Sequence, residues 1–345
     1  MRAYAPGAKV MAVIKANAYG HGLVSTARAL ADADAFAVAR LEEGIALRGA
    51  GVRTPIVLLE GIFDKEQLAE AAQHQFELVV HDPLQIELLE AHRGPERFVV
   101  WIKVDTGMNR LGFRPEAFAD ALAKLRALTV PALELRVMTH LARADELEEQ
   151  MTVTQLSRFQ SALADAGVAE GPQRLVTSIG SSAAILSWPH ALGDWIRPGL
   201  ALYGASPFAN ENAYSHGLKP VMTLETTVLT VRSVKKGETV GYAGTWQASR
   251  DSMIAILAAG YGDGLPRSLE NGTPVLIGDS RFDLVGRVSM DMIAVDVTGA
   301  PQIVTGTKAV IWGDGLPVEE IAAHAGTIPY ELLCGVSQRV TFETR

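Results

Sequence analysis

Between Lys9 and about Pro220 of this chain, short apolar runs alternate with helical stretches, and this alternation limits the fold more than any other feature. The runs are Val10–Lys15, Ala35–Ala39, Pro55–Leu59, Glu77–Val80, Phe98–Val104, Glu134–Thr139, Arg174–Thr177 and a last one near Asp194–Arg197. Short and mostly apolar, they suit strands buried on both faces. Between them lie helical segments, among them Leu41–Gly49, Asp64–Gln73, Pro83–His92 and the Ala- and Leu-rich Pro115–Leu128. Gln150–Ala166 reads as a longer amphipathic helix, with Met151, Leu156, Phe159 and Leu163 on related faces. Repeated eight times, the βα pattern predicts an α/β fold with an N-terminal TIM-type (β/α)8 barrel. A doubly wound sheet shares the pattern, because alternation does not by itself fix closure. In a barrel the catalytic groups sit at the C-terminal ends of strands. Lys15, Lys103, His140 and Arg197 fall at or near such ends.

After Pro220 the texture changes. Thr223–Val234 is β-branched and alternating, and Lys236-Gly237-Glu238 reads as a turn. Met253–Ala258, Pro274–Ile277, Val285–Val288, Met292–Val297 and Ala309–Ile311 are further short strands between Gly, Asp and Asn clusters. A helix over roughly Pro317–His324 precedes a final segment, Tyr330–Thr341. The expectation is a mainly antiparallel β-domain over residues 221–345 behind a barrel over residues 1–220. A length of 345 residues favours such a two-domain division. A net charge of −8 without a Lys/Arg block argues against nucleic acid as a partner. Cys334 is the only cysteine, which excludes an intramolecular disulfide and a cysteine zinc site. No His/Asp/Glu cluster has metal-ligand spacing, so no metal is expected. No apolar run reaches membrane-spanning length and the N-terminus lacks a signal-peptide core, so no membrane association and a cytoplasmic location are expected.

Several loops carry chemistry. Lys15 ends the first apolar run and opens a turn, Ala16-Asn17-Ala18-Tyr19-Gly20-His21-Gly22, whose glycines and asparagine can absorb unusual backbone angles. Ser25 or Thr26 is expected to cap the following helix. A lysine above a low-dielectric floor can lose its proton near neutral pH and form imines; taken alone, though, Lys15 reads first as a strand-end lysine that snorkels to the surface. Lys103 and Arg110, flanking Asp105 in WIKVDTGMNRLGF, either welcome an anionic ligand or pair with local acids such as Asp105. The Gly-Ser-Ser turn at Gly180–Ser182 and the Arg-Pro-Gly-Leu turn at Arg197–Leu200 follow strands seven and eight, where such barrels frequently hold a phosphate. GYGDGLPR has neither a dinucleotide fingerprint nor a P-loop.

Taken in order, KANAYGHG, DTGMNRLGF, THLARADE, SSAAIL, RPGLALYG, GYAGTW, GYGDG, VGRVSMDM and PYELLC resemble the bacterial alanine racemases, from about residue 3 to the C-terminus. The ordered set is far more specific than any single motif. The resemblance implies interconversion of L-alanine and D-alanine, a supplier of peptidoglycan precursors or a route of D-alanine breakdown, with pyridoxal 5'-phosphate (PLP) as cofactor. Lys15 would hold PLP as an imine and act as one base; Tyr242, from the partner of a head-to-tail homodimer, would be the other. Arg197 would hydrogen-bond the pyridine nitrogen, braced by His140. Tyr19, Ser182, Tyr330 and the backbone of Gly199 and Leu200 would hold the phosphate. Arg110 and the N–H of Met290 would meet the substrate carboxylate. Lys103 matches a lysine carbamylated in some members. Tyr261, Arg267, Arg287 and Asp291 resemble residues of an entry corridor.

Two fixed bases on opposite faces of Cα suit racemisation, since neither has to swing around the substrate. An arginine facing the pyridine nitrogen keeps its own proton, which should favour reprotonation at Cα over transamination. Members of the family usually carry a further strand and helix ahead of the equivalent of Met1, and often asparagine at Ser181 and cysteine at Ser289. Alternatives on the same residues are a broad-specificity amino-acid racemase and a non-catalytic PLP-binding protein, which would have no need of the Tyr242-bearing domain.

Overall fold

The computed structural model describes residues 1–129, 132–148 and 150–344. The chain divides into two compact units, Met1–Leu202 and Tyr203–Arg345. The first is a closed barrel of eight parallel strands in sequential order: β1 (Lys9–Val13), β2 (Ala35–Val38), β3 (Ile56–Leu58), β4 (Glu77–Val80), β5 (Arg97–Lys103), β6 (Ala132–Met138), β7 (Val176–Ser181) and β8 (Trp195–Arg197). β1 pairs with β8 through Val10↔Ile196, which closes the ring. The closure disposes of the doubly wound sheet. β2, β3 and β4 are buried along their whole length, as strands packed between a barrel core and an outer helical layer must be.

The connecting helices are α1 (Lys15–Tyr19), α2 (Leu23–Ala29), α3 (Leu41–Gly49), α4 (Lys65–Gln73), α5 (Pro83–Ala91), α6 (Pro115–Arg126), α7 (Gln150–Asp165) and α8 (Ser182–Ser187). Local chemistry sets several starts. Asp64 accepts from Gln67 N–H at 2.7 Å to cap α4, and Asp82 accepts from Leu84 N–H at 2.9 Å to cap α5, where Pro83 opens the helix. One expectation fails: α2 starts at Leu23 behind Gly22, and Ser25 Oγ donates back to Gly22 O at 3.0 Å instead of capping.

The N-terminal end of the barrel is filled by a polar plug. Arg136 lies over the rings of Trp101 and Trp195, at 5.1 Å and 5.3 Å, and pairs with the buried Glu77 at 3.2 Å. Trp101 Nε1 donates to the same carboxylate at 2.7 Å. Burial raises the Glu77 pKa, and the Arg136 charge and Trp101 hydrogen bond oppose that shift.

The second unit is built on a closed six-stranded antiparallel barrel. Its strands are β9 (Leu224–Val234), β12 (Ser252–Leu257), β13 (Pro274–Ile277), β14 (Ser280–Val285), β15 (Ile293–Asp296) and β16 (Lys308–Trp312); a small hairpin, β10 (Thr239–Val240) with β11 (Trp246–Gln247), stands outside it. The eleven-residue β9 is the staple, pairing with β12 along one part of its length and β16 along another. Helices α9 (Val318–Ala325) and α10 (Pro329–Gly335) follow. The strand expected at Val285–Val288 lies instead at Ser280–Val285, the second arm of a hairpin with β13.

Candidate active site

Lys15 stands directly beyond β1, where Ile14 is fully buried and Lys15 is not. The chain then does something unusual. Ala16, Asn17, Ala18 and Tyr19 take φ values of 54°, 53°, 54° and 52°, so α1 is a left-handed helical turn. For L-residues this costs about 1–2 kcal/mol each relative to the right-handed form. Sustained left-handed backbone in non-glycine residues is found where surrounding structure imposes it, typically at functional sites. Here the constraints are visible. Ala18 N–H donates to Ile14 O at 2.9 Å, and Asn17 Oδ1 accepts from Leu23 N–H at 2.9 Å. His21, held neutral by burial, donates from Nδ1 to Tyr19 O at 2.9 Å and Ala18 O at 3.1 Å. Glu43, from α3, accepts from Ala16 N–H at 2.6 Å.

Tyr19, buried, brings its hydroxyl against Gly199, so closely that a Cβ added there would lie 2.6 Å from Oη. Ser182, at the start of α8, accepts at Oγ from Gly199 N–H at 2.9 Å and Ala201 N–H at 3.2 Å. The backbone of Gly199 thus meets both hydroxyls, beside the fully buried Leu200. Three expected phosphate ligands converge on one spot.

Arg197 ends β8 and is buried. Its Nη1 donates to Ser178 Oγ at 2.6 Å; its Nη2 donates to Thr139 O at 2.6 Å and Ile179 O at 3.2 Å, and lies 3.3 Å from His140 Nδ1. Among the described residues no carboxylate pairs with it. Desolvation lowers its pKa to about 10, which leaves it charged at neutrality. Burial, then the charges of Arg197, Lys103, Arg110 and Lys15, push His140 well below the ordinary histidine range. The neutral ring accepts at Nδ1, which puts its proton on Nε2. The same two causes, desolvation first and then Arg197, Arg110 and Lys15, lower Lys103 to about 8. The charge of Asp105 opposes this shift only in part. Its Oδ1 accepts from Gly107 and Asn109 N–H, each at 3.0 Å, and its ion pair is Arg114 at 3.8 Å. Neither Lys103 nor the exposed Arg110 is ion-paired among the described residues. The barrel end therefore gathers Lys15, Lys103, Arg110 and Arg197 into a cationic site suited to an anion.

The remaining candidates belong to the second unit. Tyr242 sits in a tight turn after β10 between Gly241 (φ 74°) and Ala243 (φ 61°), and is 67% exposed. Tyr261 and Met290 occupy crossing loops: Tyr261 N–H donates to Ser289 O at 3.0 Å, and Gly262 N–H donates to Met290 O at 2.8 Å. The crossing needs Gly260, where a Cβ would lie 2.3 Å from Ser289 O. Asp291 accepts from Arg339 at 2.8 Å, Arg267 and Arg287 are exposed, and Tyr330 is half-buried in α10. Arg339, which also grips Asp263 at 2.7 Å, carried no sequence signal. Thr139, Ser178 and Gln155 were missed too. Gln155 is fully buried in α7 and donates to His140 O at 3.0 Å and Thr106 Oγ1 at 3.1 Å, bracing the loop behind Arg197. No group of His, Cys, Asp and Glu among the described residues could hold a metal ion, and no helix among them is long and apolar enough to cross a membrane.

Comparison with known proteins gives this geometry a family. The alanine racemase N-terminal domain model matches residues 1–207 and the alanine racemase C-terminal domain model matches residues 221–344. An alanine racemase of Nitrosococcus oceani is 49% identical over 340 residues, covering 99% of this chain and 93% of that protein. One of Aeromonas hydrophila is 46% identical, covering 99% and 94%. The crystal structure of the biosynthetic alanine racemase from Pseudomonas aeruginosa superposes with a TM-score of 0.93 at 43% identity, covering 98% of this chain and 93% of that one. An eight-stranded barrel with a cationic mouth, family models over both units and relatives nearly half identical along the whole chain lead to one conclusion: this chain belongs to the alanine racemase family.

Proposed function

We propose that the cationic end of the barrel holds PLP and that Lys15 and Tyr242 serve as opposing bases in the interconversion of L- and D-alanine. The observation that carries the reading is the environment of Arg197: a buried guanidinium with neutral partners only, between Ser178, Thr139 and His140. Such a group fits a neutral nitrogen acceptor and, keeping its own proton, does not hand it over. The convergence of Tyr19 Oη, Ser182 Oγ and the Gly199 backbone fits a phosphate, and the surrounding cations fit its charge. PLP, when bound, supplies the electron sink that makes the Cα proton removable.

The chain's own residues supply the rest. Lys15 receives or returns the proton on one face of Cα. Tyr242, exposed in its own unit, does so on the opposite face, from the partner of a head-to-tail homodimer. Arg110 and the N–H of Met290 hold the substrate carboxylate, and Tyr330 adds a hydroxyl to the phosphate. Tyr261, Arg267, Arg287 and Asp291 line the way in. Lys103, lowered to about 8, has an appreciable neutral fraction near pH 7, which fits reaction of its amine with CO2 and loss of a proton to give a carbamate. The former cation would then be an anion able to orient Arg110. On this division, residues 1–220 supply most of the cofactor's ligands and residues 221–345 contribute the second base together with Met290 and Tyr330, in a cytoplasmic enzyme.

The test is an absorption spectrum of the purified protein followed by an assay of D- and L-alanine. A visible cofactor band, PLP released on denaturation and turnover in both directions are expected. A colourless protein that racemises alanine would overturn the PLP reading.

A further inference from the structure

The carboxylate of Glu43 is shared among three backbone donors from two places in the chain. Oε1 accepts from Ala16 N–H at 2.6 Å. Oε2 accepts from Ala39 N–H at 2.9 Å and Arg40 N–H at 3.2 Å. The Arg40 bond is the glutamate half of a capping box, Glu43 lying three residues after the N-cap Arg40, whose side chain has no acceptor to complete it; the Ala39 bond adds the residue before the cap. The Ala16 bond is different. Ala16 is the residue after Lys15 and opens the left-handed turn, while Ala39 and Arg40 lie directly beyond β2. Glu43 thus ties the Lys15 turn to the end of the adjacent strand, alongside the Ile14 N–H bond to Ala37 O at 2.9 Å. A charged acceptor roughly doubles the strength of a backbone hydrogen bond, and this one sits where the backbone conformation most needs an external hold.

We propose that Glu43 is a positioning residue for Lys15, its carboxylate pinning the left-handed turn so that the lysine leaves β1 on a fixed trajectory into the barrel mouth. The proposal rests on the reading of Lys15 given above. Glutamine cannot replace this carboxylate: its single oxygen serves either Ala16 or the Ala39–Arg40 pair, and its NH2 group then faces an N–H donor.

The experiment compares Glu43→Gln with Asp64→Ala in the holoenzyme. Asp64→Ala removes the N-cap carboxylate of α4, the helix that follows β3, with no bond to the Lys15 turn among those it makes. The expected result is a kcat roughly 10- to 100-fold lower in Glu43→Gln, with a smaller change in KM, a shifted pH profile and a displaced cofactor band. Asp64→Ala should lower Tm and leave all of these unchanged. Hydrogen exchange adds a readout independent of turnover: the Ala16 amide should be protected in the wild type and lose that protection in Glu43→Gln. Wild-type kcat, pH profile and band in Glu43→Gln would overturn the proposal, as would an unprotected Ala16 amide in the wild type. A Lys15→Ala variant that keeps its band and activity would instead overturn the underlying reading of Lys15, and the proposal with it.

Discussion

Replacing Gly199 by alanine tests the phosphate cradle at its tightest point. The new Cβ would lie 2.6 Å from Tyr19 Oη and 3.2 Å from Cζ. Ordinary carbon contacts are about 3.5 Å or more, so the hydroxyl has to move by about 0.9 Å. Tyr19 has little room to do so, since it is buried and its backbone belongs to the left-handed turn. Either the ring shifts, and the overpacking costs about 1–3 kcal/mol of stability, or the hydroxyl leaves the phosphate and a charge-assisted hydrogen bond of about 1.5–3 kcal/mol is lost. The second route corresponds to a PLP affinity about 10- to 150-fold weaker. Titration of apo-protein with PLP, followed by absorbance, measures the affinity, and thermal unfolding measures the stability. Tyr19→Phe completes a double-mutant cycle. With Oη absent the worst contact is removed, so Gly199→Ala should cost less in that background than in the wild type. Wild-type affinity and Tm in Gly199→Ala, or strictly additive effects, would refute the cradle.

Three further outcomes are expected. Lys15→Ala should lose the cofactor band and racemisation together, and full activity would remove Lys15 from its role. Tyr242→Phe should impair abstraction from L-alanine by several orders of magnitude while PLP stays bound; initial rates in both directions, read by chiral chromatography, decide this. Lys103 is a cation whose folded-state pKa is lowered to about 8, so protonated Lys103 opposes folding below that value and the opposition fades as pH rises towards about 10.5. Lys103→Met should therefore raise Tm at pH 6 and raise it less at pH 9 in CO2-free buffer, and a pH-independent difference would contradict the assignment.

The barrel strands were legible because parallel strands buried on both faces leave unbroken apolar runs, and Glu77–Val80 was delimited to the residue. β7 was misjudged because its second half carries Ser178, Gly180 and Ser181, small and polar residues that read as a turn; yet Ser178 is where Arg197 is held. β14 was hidden for the opposite reason: Arg281 and Asp283 on its outer face break the apolar run. Among the site residues, those at strand ends could be located from periodicity, but their roles came from the ordered motifs. The left-handed turn was only half visible, since Asn17, Gly20 and Gly22 announce unusual angles whereas Ala16, Ala18 and Tyr19 do not. Glu43 looked like one more acidic residue on a helix, because its partner is 27 residues away.

That separation has a consequence for how the enzyme matures. A left-handed stretch of non-glycine residues has no local tendency to form, and one of its holds arrives only when α3 and the end of β2 are in place. The turn should therefore close late, after the first strands have paired. In refolding experiments the circular dichroism of the barrel should recover before the capacity to bind PLP does, and a chain that looks folded would for a time be unable to accept its cofactor.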